Sequence, residues 1–86
     1  MTKKFGVVIL NFNEYDLTKQ CVDDFVNVFS NNDYYIVIVD NNSSNNSYDI
    51  LKKYFAEKDR IQVIHLKKNI GFARGNNEGY FELIKH

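Results

Sequence analysis

Two unbroken apolar runs, Phe5–Leu10 and Tyr35–Val39, stand out along the chain, and a third, mixed run spans Ile61–Leu66. Continuous runs rich in β-branched residues read as strands buried on both faces of a parallel sheet. Gln62 and His65 interrupt the third run and place it at a sheet edge. Between the runs the period changes. Apolar residues at 17, 21, 22, 25, 26, 28 and 29 recur at helical spacing and predict one broad buried face, with Cys21 as a small apolar member of it. Asp16 is the expected N-cap of this helix, and the polar run Ser30–Asp33 ends it. Ser47 is the expected N-cap of a second helix, with Asp49 in its first turn and Ile50, Leu51, Tyr54 and Phe55 as its apolar stripe. Glu57–Arg60 reads as a solvated turn. A third helix is expected from Arg74 or Gly75 to the end of the chain, after a loop from Lys67. The order β-α-β-α-β-α predicts a three-stranded parallel sheet with right-handed crossovers.

In open α/β sheets, ligands bind beyond the carboxyl ends of the strands. Three informative loops fall there. The first holds Asn11, Phe12, Asn13 and Glu14; the second holds Asp40, Asn41, Asn42, Ser43 and Ser44; the third runs from Lys68 to Tyr80. Together they supply an aromatic plane, a carboxylate acceptor, amide donors and glycines that open a helix. Those parts suit a nucleotide, with a base to stack, ring and ribose groups to bind, and phosphates near a helix N-terminus. The familiar phosphate motifs fail. No Gly-x-Gly-x-x-Gly follows the first strand, and Gly75 is followed by Asn76 where a P-loop needs Lys.

Composition narrows the field. Eighty-six residues make at most one small domain, and 44% hydrophobic with 26% charged residues is a globular balance. The formal net charge is zero, which disfavours a nucleic-acid partner. A single cysteine cannot build a disulfide framework and points to a reducing compartment. No apolar segment is long enough to span a bilayer and no signal-peptide pattern is present. The expected location is the cytoplasm, including the inner face of the membrane.

The strand ends resemble the N-terminal half of family 2 glycosyltransferases, GT-A fold enzymes that use nucleotide sugars. Phe12-Asn13 matches the Tyr-Asn pair that closes the first strand in that family, and Asp40-Asn41-Asn42-Ser43 matches its Asp-Asn-x-Ser. Asn69, Gly71, Phe72, Ala73, Gly75, Asn76, Asn77 and Gly79 match its third loop in full. The resemblance is closest to the rhamnosyltransferase-like branch of bacterial surface polysaccharide synthesis. It implies that residues 1–86 form a single α/β domain, a truncated nucleotide-binding half of a GT-A Rossmann-like fold. It further implies a UDP- or dTDP-sugar as donor and a hydroxyl group as acceptor. Phe12 would stack on the base and Asp40 would accept from a ring N–H of uracil or thymine. Asn69, Gly71 and Asn76 would shape the loop beside ribose and diphosphate, with Arg74 standing in for an Arg that relatives carry at the position of Asn76. Asn11, Asn13, Glu14 and Asn42 complete the expected nucleotide-sugar site.

Family members hold Mg²⁺ or Mn²⁺ with an Asp-x-Asp motif and activate the acceptor with a further acid. This chain contains no Asp-x-Asp; Asp23-Asp24 lies mid-helix as a solvated face. No catalytic residue, metal ligand or cofactor is therefore expected within it, and the chain alone is expected to be inactive. A second class of function is a non-catalytic α/β module that self-associates through its first strand, because Phe5–Leu10 would present an apolar edge. A homodimer or larger assembly is expected on either view. Simpler roles stand beside these. Asp40 can cap its own loop, the glycines can serve turn and packing, Phe72 can be core, and Glu14 can sit at the helix start. His65 can be a surface strand residue and His86 a terminal one.

Overall fold

A computed structural model describes residues 4–86. The elements follow the expected order: β1 (Lys4–Asn11), α1 (Tyr15–Val28), β2 (Asp33–Asp40), α2 (Ser47–Tyr54), β3 (Ile61–His65) and α3 (Phe72–Leu83). The three strands are parallel in the order β1-β2-β3. This is a Rossmann-like half of a GT-A fold. β2 is the centre, and its residues Ile36–Asp40 are buried without a break, as its unpunctuated apolar run requires. β3 is an edge, as Gln62 and His65 foretold, and β1 is the other edge.

The alternation of side chains along β2 sorts the helices. Ile36 and Ile38 face α1 and α2, where they meet Val22, Leu51 and Phe55 in the buried core. Val37 and Val39 face α3. That helix lies close on β1 and β2 because two of its buried positions are glycines: a Cβ at Gly75 would meet Leu10, and one at Gly79 would meet Val8 and Val39. The Gly-Asn-Asn-x-Gly spacing therefore puts both glycines on the sheet-facing side one turn apart.

Several boundaries differ from expectation. α1 begins at Tyr15, so Asp16 lies inside its first turn and is not the N-cap; Glu14 holds that position without a side-chain capping bond. Its buried face is narrower than the spacing suggests. Thr18 and Val22 are buried, whereas Leu17, Cys21 and Val28 are exposed. Those three fall on one flank, turned away from a sheet only three strands wide. Ser47 is likewise not a cap: it is the first residue of α2, and Asn45 Oδ1 accepts from its N–H at 2.9 Å. The Ser47 hydroxyl is buried with no hydrogen-bond partner. α3 starts at Phe72, earlier than Arg74. Phe72 is 73% exposed and so not core, since it sits on the helix's free first turn. Asp23 is exposed but not merely solvated, because Tyr54 Oη donates to its Oδ2 at 2.7 Å and ties α2 to α1.

Candidate functional site

The strand register builds the site. Asn11 pairs with Asp40, and Asp40 with His65, so one row of side chains crosses the carboxyl edge of all three strands. The row shares the face of Ile36 and Ile38, towards α1 and α2. α1 closes one end, with Thr18 Oγ1 donating to Asn11 Oδ1 at 2.6 Å. Asn11 Nδ2 donates to Asp40 Oδ1 at 2.9 Å and to Ser43 Oγ at 3.3 Å. α2 closes the other end, where the Tyr48 ring stacks on His65 with centroids 4.7 Å apart. Lys52 Nζ lies 5.5 Å from the centroid of the same tyrosine.

Asp40 is 0% exposed, and a buried carboxylate persists only when donors surround it. Besides Asn11, Ser43 supplies two: its hydroxyl donates to Oδ1 at 2.5 Å and its N–H to Oδ2 at 3.1 Å. Asp40 thus caps its own loop. The imidazole Nε2 of His65, a residue whose side chain is 40% exposed, stands 3.8 Å from Oδ2.

The three loops are tied to each other. Asn13, in the left-handed region at φ 59°, donates its N–H to Ser43 Oγ at 2.9 Å and accepts from Ser44 N–H at 2.8 Å. On the other side Asn41, 3% exposed, reaches the third loop. Its Nδ2 donates to Asn69 Oδ1 at 3.1 Å and to the Gly71 carbonyl at 3.4 Å, while its Oδ1 accepts from Ile70 N–H at 3.1 Å. Asn69 Oδ1 accepts from Gly71 N–H at 2.9 Å as well. Gly71, at φ +84°, turns the chain into α3 through a conformation that disfavours any side chain.

The residues expected at the site fall into three groups. Asn11 and Asp40 are buried beneath it, and Asn13 and Asn69 hold its loops. Phe12 (45% exposed), Glu14, Asn42 (φ 57°), Gly71 and Arg74 are exposed on the same edge. Asn76 is half-buried on the first turns of α3. Thr18 and Tyr48 are structural partners outside the expected site, and Asn41 and Ser43, matched in the second-strand pattern, hold its loops together. Ser43 was accessible in principle, since a Ser three residues after an Asp makes an Asx-type turn. Thr18 was not, because only the fold brings a helix hydroxyl to the end of β1.

Mg²⁺ or Mn²⁺ is implied by the resemblance. Among the described residues no group of three His, Cys, Asp or Glu side chains can hold a metal ion. The donor set does not fit one.

A parallel α/β half whose strand-end loops converge on one polar edge defines a Rossmann-like ligand-binding class. The chain belongs to glycosyl transferase family 2, whose family model matches residues 6–82. No match was found among curated proteins. At family level the chain is a glycosyltransferase domain. Among the described residues no helix is long and apolar enough to cross a membrane.

Proposed function

We propose that the carboxyl edge of this sheet binds the nucleoside diphosphate of a UDP- or dTDP-sugar. The parent reaction transfers the sugar, with inversion, to a hydroxyl acceptor in polysaccharide or cell-surface glycan synthesis, as in the rhamnosyltransferase-like branch. One observation carries the reading: the loops after all three strands are hydrogen-bonded into a single edge around Asp40. Phe12 presents an exposed ring for the base. Among the described residues the Oδ2 of Asp40 accepts one hydrogen bond, from the Ser43 N–H, which leaves it acceptor capacity for a ring N–H. Asn69, Gly71, Arg74 and Asn76 stand at the α3 entrance for ribose and diphosphate. Binding, rather than transfer, is the role we assign to these residues. Isothermal titration with UDP and dTDP tests it. Micromolar to millimolar binding that weakens at least tenfold in Asp40→Ala supports the reading, and no binding of either nucleotide contradicts it.

A second reading rests on β1. Its free edge runs through Phe5–Leu10 without a charge or a proline, the features that ordinarily protect an edge strand. Self-association of the chain through that edge is compatible with nucleotide binding at the strand ends.

A further inference from the structure

Asp40 is the acceptor that the nucleotide reading needs, yet its carboxylate has no exposure. Three of its contacts come from the end of β1 and from its own loop: Asn11 and the Ser43 hydroxyl on Oδ1, and the Ser43 N–H on Oδ2. The fourth is different. His65 Nε2 faces Oδ2 at 3.8 Å, too long for a hydrogen bond but within ion-pair range, and its ring is partly open to solvent. The lone pair it faces is the one a base N–H would require. We propose that His65 is the gate of the nucleotide site. Its imidazole stands where the base must come, rests against Tyr48 in the closed position, and must turn aside before Asp40 can accept from a nucleotide. The inference rests on the nucleotide reading and adds a specificity-determining residue to it.

The geometry makes the gate a competitor rather than a helper. The imidazole stands beside the one carboxylate oxygen that a base N–H would approach. The groups facing the ring are Asp40 from β2 and Tyr48 from α2, with Lys52 beyond the tyrosine. Because β3 ends at His65, the residue borders a loop, and its side chain can swing without breaking a strand pair.

The test is a titration with UDP on the wild type, His65→Ala and His65→Gln, each checked for native circular dichroism. His65 is exposed, so both variants retain the fold. His65→Ala is expected to bind UDP roughly tenfold tighter than the wild type, and His65→Gln, which keeps a side chain in the approach to Asp40, to gain less. Equal or weaker binding by His65→Ala overturns the gate while leaving the nucleotide reading intact. Absence of binding by all three proteins overturns the nucleotide reading and the gate with it. A second measurement needs no ligand. In the free protein, His65→Ala is expected to shift the Ser43 amide and Asn11 side-chain amide resonances; unchanged resonances contradict the contact with Asp40.

Discussion

Removing the side chain of Asn41 strips the third loop of three bonds at once, those to Asn69, Gly71 and Ile70. The Ile70 N–H and the Asn69 amide would then lose a partner at a half-buried place, at a cost of about 1–3 kcal/mol. Asn41→Ala is accordingly expected to lower urea stability by that amount and to speed hydrogen exchange at the Ile70 amide. Unchanged exchange there would contradict the latch. At this scale the sequence disclosed the residues but not their division of labour. Asp40 and Asn69 stand out as polar groups at a strand end and in a loop, yet only the register between strands shows that Asn11, Asp40 and His65 form one row. The neighbour of Asp40 that matters most for access, His65, reads in the sequence as an ordinary edge-strand residue.

Among the elements, α3 shows why boundaries were less legible than order. Glycine disfavours a helix interior by about 1 kcal/mol, so a segment carrying Gly71, Gly75 and Gly79 hides its start. Packing supplies the reason for the last two. Val8 and Val39, which a Cβ at Gly79 would meet, are β-branched and stiff, so they cannot yield as a Leu terminus can. Overpacking of about 1–3 kcal/mol should therefore exceed the helix-propensity gain in Gly79→Ala, and net destabilisation is expected in thermal unfolding. Asn77→Ala, at an exposed position of the same helix, should instead be neutral or stabilising. α1 shows the opposite error. Its apolar spacing is genuine, but Leu17, Cys21 and Val28 extend past the width of the sheet, and periodicity carries no information on how many strands lie beneath. The α1–α2 tie has a pH signature. Donation to the Asp23 carboxylate, followed by the charge of that group, holds the Tyr54 phenol above its usual range. A raised phenol stabilises the fold at pH below its unfolded value and loses that contribution as pH rises through the raised one. Tyr54→Phe should flatten the alkaline limb of the stability curve near and above about pH 10.

For the whole molecule, element order and parallel direction were legible because each feature has a direct physical sign: unbroken apolar runs for buried strands, helical spacing between them, polar loops at one edge. The chain's two sheet edges are not alike. β3 carries Gln62 and His65, whereas Phe5–Leu10 of β1 carries no charge, and its residues from Val7 to Leu10 are only half-buried. An edge of that kind pairs readily with another strand. Sedimentation of the chain at micromolar concentration is expected to give a dimer or larger species, and a stable monomer would contradict self-association through β1.

The central claim concerns place: a nucleotide bound at the carboxyl edge. Chemical-shift mapping of the chain with UDP measures that place directly. The account predicts that perturbed amides cluster in residues 11–14, 40–45 and 69–76, at one end of the sheet. Perturbations centred at the opposite end, in the cleft lined by Phe5, Tyr34, Tyr35 and Arg60, or no perturbation at saturating nucleotide, would contradict it.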